Sequence, residues 1–345
     1  MKVVYSEQHA KHDPAFFLVR GERRPNAEQP QRADVLLSAA RKGGHDVVAP
    51  EDTGVGPVLA VHTPEYVDFL QVAQREWRKL EGAGPEVIAN VHPVRHRASY
   101  PRIISGRAGW HQADTACPIG PGTWDAALAA THVAVSAARI VDEAARAGER
   151  HPVAYALCRP PGHHAYADMA GGFCFLNNTA IAAQQLRAAG HARVAILDVD
   201  VHHGNGTQGI FYGRGDVLTV SIHADPAEYY PFFWGYAHER GEGGGEGANL
   251  NLPLALGSAD AAWLAAGEQA LQRITVFAPD VLVIALGLDA SEHDPLKGLR
   301  VTTDGFGRMA ALIASMQLPT LLVQEGGYLG PGLGENLSAF LAAFS

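Results

Sequence analysis

Short apolar runs alternate along the chain with longer segments whose apolar residues recur at helical spacing. That alternation is the pattern of a mostly parallel sheet covered by helices. The runs predict strands over residues 2–5, 45–49, 153–157, 194–199, 217–222, 280–286 and 320–324. Helices are predicted over 64–80, 124–147, 179–189, 259–277, 304–316 and 335–344. Thr63 is a natural cap for the first, with Pro64 in its opening turn, and Thr123 is read as the cap of the second. Gly190 marks the end of the third. The glycine-rich stretch 241–247 reads as a flexible loop followed by a strand-like segment. Residues 82–122 are rich in turn formers and lack a strong period, which predicts a long excursion from the core. No repeat or linker divides the chain. One α/β domain spanning 1–345 is expected, its long loops gathered at one end of a central sheet flanked by helices.

Composition narrows the class. The 345 residues are 47% hydrophobic and 18% charged, ordinary for a globular chain. A formal net charge of −9 leaves no basic surplus to neutralise phosphates, so a nucleic-acid binder is not expected. No apolar run reaches the ~18 residues of a membrane span, and the N-terminus does not read as a signal peptide. Cys117, Cys158 and Cys174 form no CxxC pair, which points to reduced thiols and a cytoplasmic setting.

Polar residues capable of chemistry stand at the ends of four predicted strands, where open α/β sheets bind ligands. They are Arg159 to His164, Asp198 to His203, Gly287 to Asp289, and Glu325 to Tyr328. If extension continues past the strand, Asp198, Asp200 and His202 share one face. Burying these groups in an apolar run is costly without a cation. Asp200 and His202 are therefore read as metal ligands, joined by Asp289 from another strand end, with Asp198 in a supporting place. One imidazole with two carboxylates suits Zn²⁺, and also Fe²⁺ or Co²⁺, with room left for water. The alternative is a buried hydrogen-bond network that merely orients loops. His163 and His164 follow a Pro-Pro-Gly turn and can flank one reacting centre. One would move a proton from water to a leaving amine, and the other would stabilise charge. Asp198 and Asn205 are candidate partners for their far nitrogens. Tyr328, after two glycines, can donate to a polarised carbonyl oxygen.

Six segments, RPPGHHA, GGFCFLNN, DVDVHHGNGTQ, SIHAD, GLDASEHDPL and EGGY, occur in this order and together resemble the histone deacetylase superfamily. The likeness extends from Glu28–Arg32 and Val61–Tyr66 to the end of the chain. The asparagine of HHGNGTQ is like the class II deacetylases, and the short bacterial-type chain is similar to the acetylpolyamine amidohydrolases. The resemblance implies an arginase/deacetylase-like fold and hydrolysis of an acyl amide on a small molecule or peptide. It implies Zn²⁺ on Asp200, His202 and Asp289, with His164 as general base and acid. His163 becomes the electrostatic partner, and Tyr328 polarises the scissile carbonyl. It also implies K⁺ at Asp198, Asp200, His202, Ser221 and Ile222, several of these through backbone carbonyls. Phe173 and Tyr230 match the walls of an acyl-chain tunnel, with tyrosine at 230 where family members often carry phenylalanine. The excursion 82–122 looks like the family's inserted loop, implying a homodimer. One departure stands out: residues 91–112 lack Asp and Glu but carry Arg95, Arg97, Arg102 and Arg107. Such a loop repels a polycation, leaving acyl-lysine, neutral amide or anionic substrates open beside acetylpolyamine. Two other readings are an arginase-type ureohydrolase with two manganese ions and a catalytically inactive module that binds an acylated ligand.

Overall fold

Eight of the chain's apolar runs pair side by side into one parallel sheet. In a computed structural model describing residues 1–93 and 99–344, the strands are β1 (Lys2–Val4), β4 (Asp46–Val48), β5 (Val153–Ala156), β6 (Val194–Asp198), β7 (Val217–Ala224), β8 (Asn249–Leu254), β9 (Val281–Leu286) and β10 (Thr320–Gln324). Their order is β4-β1-β5-β10-β9-β6-β7-β8, and every pairing is parallel. A separate hairpin joins β2 (Phe16–Val19) to β3 (Glu22–Pro25). Arg95 and Arg97 lie outside the described residues.

Both faces of the sheet are covered, which explains why the strand sequences are apolar throughout rather than alternating. Ala195 and Leu197 of β6 pack with α1 (Gln31–Lys42), α8 (Asp260–Phe277), α9 (Thr303–Ala314) and α10 (Leu333–Ala342). Val194 and Ile196 face the other way, toward α5 (Thr123–Arg146) and α6 (Asn178–Ala188). A third cluster joins α3 (Pro64–Trp77) and α4 (Ile104–His111) to Phe175 and Leu176. Two short helices, α2 (Gly56–Leu59) and α7 (Asn205–Phe211), complete the set.

The helix α3 begins as its residues dictate: Thr63 accepts a hydrogen bond from the Tyr66 amide, and Pro64 opens the first turn. At α5 the start differs from the predicted Thr123 cap. Gly122 occupies the cap position and Thr123 is the first helical residue. The Thr123 hydroxyl instead accepts from the Gly120 amide at 2.8 Å, closing the turn that precedes the helix. The excursion also holds more order than its composition suggests, since it contains α4 and an antiparallel bridge between Val87 and Ile119. Among the described residues no helix is long and apolar enough to cross a membrane.

The four strands singled out for their polar ends, β5, β10, β9 and β6, are adjacent in the sheet. Their last residues are in step: Ala156 is level with Val323, Gln324 with Leu286, and Ala285 with Asp198. The polar residues that follow therefore emerge together at one edge of the core.

Candidate active site

Strand β6 ends at Asp198, so Asp200 and His202 do not share a strand face with it. Two successive side chain-to-backbone turns replace the expected extension. Asp198 Oδ1 accepts from the Asp200 amide at 3.0 Å, and Asp200 Oδ1 accepts from the His202 amide at 2.9 Å. Such turns are a local habit of aspartate. They leave Asp200 pointing under the β9 and β10 ends, where Gly326 donates its amide to Asp200 Oδ2 at 2.8 Å. A Cβ at Gly287 would overlap Asp200, and one at Gly326 would overlap both Asp200 and Asp289. Glycine is required at both positions because of this close approach.

One donor atom each from Asp200, His202 and Asp289 lies within 4.8 Å of the others, and all three residues are buried. His202 Nδ1 stands 3.1 Å from Asp200 Oδ1 and 3.2 Å from Asp289 Oδ2. Asp289 Oδ1 accepts from the Val201 amide at 3.0 Å, whereas the buried Asp289 Oδ2 has no hydrogen-bond partner. A buried carboxylate oxygen without a donor, beside an imidazole nitrogen caught between two carboxylates, fits a divalent cation with one His and two Asp ligands. Without a cation the charge is met by a proton. Burial opposes charging His202, but Asp200 and Asp289 outweigh it and push its pKa up to about 9.

The paired imidazoles sit above these residues, their ring centroids 4.0 Å apart. His163 Nδ1 is 2.9 Å from Asp198 Oδ2, and its Nε2 is 3.8 Å from Asp200 Oδ1. Burial works against a charge on His163, but Asp200 and Asp198 prevail and hold its pKa well above the usual value. His164 has a different partner: its Nδ1 is 2.6 Å from Asn205 Oδ1 at the start of α7. Burial, reinforced by the His163 and His202 charges, drives the His164 pKa well below the usual range. Donation of Nδ1–H to the amide oxygen leaves Nε2 with a free lone pair. The surroundings thus push the adjacent histidines in opposite directions, His163 toward the protonated form and His164 toward the neutral one.

Tyr328 is buried after the left-handed Gly327, and its amide donates to Asp294 Oδ2 at 2.9 Å. Burial, with Asp289 nearby, keeps the phenol protonated by raising its pKa well above the usual value. Phe173 meets Tyr328 edge-on at 5.7 Å, while Tyr230 meets His164 at 4.9 Å with the rings perpendicular. Ser221 is level with Asp198 across the β6–β7 ladder, and both border a small internal cavity with Thr219 and His203. The Ile222 side chain belongs to the apolar core, which leaves its backbone as its polar part.

Several residues without a local signal in the sequence hold this arrangement. Glu325 accepts from the Gly162 amide at 2.6 Å, the His163 amide at 3.0 Å and the Thr179 hydroxyl at 2.6 Å, so it fixes the histidine turn. Arg32 donates to the Gly327 and Glu325 carbonyls at 2.6 and 2.5 Å. Asp294 takes the Tyr328 amide. Glu325 and Asp294 stood within recognised motifs, but their partners are distant in sequence.

Residues 26–344 match the family model described as the histone deacetylase domain. The chain belongs to the histone deacetylase family. The acetylpolyamine amidohydrolase of Burkholderia pseudomallei is 46% identical over 345 residues, covering 100% of this chain and 98% of that protein. The acetylpolyamine amidohydrolase of Mycoplana ramosa is 43% identical, covering 99% and 98%. A crystal structure of acetylpolyamine aminohydrolase from Burkholderia pseudomallei matches with a TM-score of 0.95 at 46% identity, over 100% of this chain and 98% of that one. The HDA15 HD domain matches with a TM-score of 0.78 at 28% identity, over 99% and 89%. Membership of this deacetylase family, with full-length relatives named as amide-bond hydrolases, makes the chain an enzyme of that class. Neither the ureohydrolase nor the inactive-module reading is favoured by these relatives.

Proposed function

We propose that the protein removes acetyl groups from acetylated amines, acetylpolyamines foremost, by metal-dependent amide hydrolysis. The observation that carries this reading is the convergence of Asp200, His202 and Asp289 within 4.8 Å beside the His163–His164 pair. Asp200, His202 and Asp289 would hold the cation, with Zn²⁺ preferred and Fe²⁺ or Co²⁺ suited to the same donors. A divalent cation supplies Lewis acidity, making bound water more acidic and a carbonyl more electrophilic.

The protein's own groups do the rest. His164 Nε2 takes a proton from water as the water oxygen bonds to the amide carbon. Tyr328 donates its hydroxyl to the carbonyl oxygen as negative charge gathers there, and the His163 cation stabilises the same charge. His164 then returns the proton to nitrogen as the carbon–nitrogen bond breaks, releasing amine and carboxylic acid. Phe173 and Tyr230 form the walls along which the acyl amine approaches. A K⁺ ion at Asp198, Asp200, His202, Ser221 and Ile222 belongs to the same reading, supported by the cross-strand placement of Asp198 and Ser221.

The arginine-rich stretch is a weaker obstacle to a cationic substrate than its composition suggests. Arg107 is bound to Asp68 at 2.7 Å and to the Tyr100 hydroxyl at 2.9 Å, so its charge is already matched. Exposed Val91, Tyr100 and Ile103 on the excursion support its use as a contact with a second copy of the chain. Three free, buried cysteines suit a reducing cytoplasmic setting.

The test is a panel of acetylpolyamines, acetyl-lysine peptides and neutral acetamides given to protein loaded with Zn²⁺. Acetylpolyamine turnover is expected to lead. Tyr328→Phe should lower kcat by about 10²–10³-fold with fold and metal content retained. No hydrolysis of any member, or full turnover by that variant, contradicts the reading.

A further inference from the structure

Asp114, within the excursion, bonds the Tyr230 wall and the turn that carries Phe173, beside the histidine pair. The Tyr230 hydroxyl donates to Asp114 Oδ2 at 2.6 Å, and the Gly172 amide donates to the same oxygen at 3.1 Å. Oδ1 accepts from the Ala116 amide at 2.8 Å, which fixes the carboxylate within its own turn. The surrounding backbone is anchored too: the Ala113 amide donates to the Ala170 carbonyl at 2.7 Å, and the Ala170 amide to the His111 carbonyl at 2.8 Å.

What this carboxylate ties together is strained and closely packed. Gly172 and Phe173 both have positive φ, +51° and +70°, an unfavourable conformation for phenylalanine that its surroundings must enforce. A Cβ at Gly172 would lie 2.5 Å from His164 Cδ2 and 2.8 Å from the Tyr230 hydroxyl oxygen, so wall, turn and imidazole are in close contact. Tyr230 is half-buried and would otherwise offer its phenolic proton to any acceptor in the tunnel. Commitment of that proton to Asp114 makes the tyrosine wall behave as an apolar ring.

We propose that Asp114 is a positioning residue that sets tunnel width, and hence acyl-chain selectivity, by tying Tyr230 and the Gly172–Phe173 turn to one carboxylate. The idea rests on the tunnel assigned to Phe173 and Tyr230 under the proposed function. Asp114 acts here through hydrogen bonds that fill both its oxygens, and not as a free anion that attracts a cationic amine.

The experiment compares kcat/KM for acetyl- and butyryl-amine substrates in Asp114→Ala, Tyr230→Phe, the double variant and Asp114→Asn. Loosened walls should admit the longer chain, so each of the first two variants is expected to lower acetyl-over-butyryl selectivity by about tenfold. The change should appear mainly in KM. Because the two side chains act as one unit, the double variant should lose no more than the larger single loss. Asp114→Asn, which keeps an acceptor oxygen but no charge, should retain most of the selectivity. Unchanged ratios, or additive losses, would overturn the proposal. So would an Asn variant that loses preference for cationic over neutral amines as fully as Ala, since Asp114 would then recognise charge. A crystal structure of Asp114→Ala provides a readout independent of turnover: Tyr230 and the 171–174 turn should both move, and both staying in place refutes the idea. Failure of wild-type protein to hydrolyse any acyl amine would sink the proposed function alone, leaving the restraint on the walls to be judged from that structure.

Discussion

His163 and His164 are neighbours in sequence pushed toward opposite protonation, and the difference lies in the partners each one faces. His163 faces the carboxylates of Asp198 and Asp200; His164 faces the neutral amide of Asn205. Replacing that amide by a carboxylate should make the imidazole harder to deprotonate. An opposite charge at such range raises a pKa by about 1–3 units, so Asn205→Asp should shift the acid limb of kcat/KM upward in pH by about that amount. An unmoved limb would remove His164 from the proton-accepting role. A second pH effect belongs to His202. With its metal-free pKa raised to about 9, a cation must displace its proton at any lower pH. Metal affinity of the stripped protein should therefore strengthen as pH rises from 6 toward 9, by about tenfold per unit. Titration with a competing chelator measures it, and an affinity flat with pH would show that this proton does not compete. These residues were legible in sequence because each follows an apolar run. The geometry joining Asp198 to Asp200 was not, since paired aspartate turns replaced the strand that simple alternation suggests.

Loops and helices around the site are joined by charges that carried no such signal. Glu28, fully buried before α1, meets Arg32 at 2.7 Å and Arg159 at 2.8 Å. The two arginines reach onward, Arg32 to the turn before Tyr328 and Arg159 to the His9 carbonyl at 2.7 Å. Three elements distant in sequence thus share one carboxylate. Burial alone would raise the Glu28 pKa, but Arg159 and Arg32 outweigh it and hold it below the ordinary value. Its contribution to stability is therefore complete above about pH 4.5 and is lost as pH falls through the lower folded value. Glu28→Gln leaves two buried guanidinium groups unmatched and should cost about 3–5 kcal/mol at neutral pH, read by denaturant unfolding. A loss below about 1 kcal/mol would mean the arginines find other partners. Residues 28–32 belonged to the family likeness, but a charged helix start looks solvent-facing until the fold brings Arg159 to it. Asp114 belonged to the family likeness too but carried no assigned role for the same reason, since its partners Gly172 and Tyr230 are set by tertiary contact.

For the molecule as a whole, the seven predicted strands were readable, but the hairpin of β2 and β3 and the strand order were not. Continuous apolar runs such as Val194–Leu197 announce a sheet covered on both faces, yet nothing local says that β10 separates β5 from β9. That order brings His163, His164, Asp200, His202, Asp289 and Tyr328 to a common edge. The proposed chemistry requires one divalent cation held there, which a count of bound metal can decide. After dialysis against trace Zn²⁺, elemental analysis should find about one transition-metal ion per wild-type chain and almost none in a folded Asp289→Ala variant. Two ions per wild-type chain, or full occupancy without the Asp289 carboxylate, would contradict it.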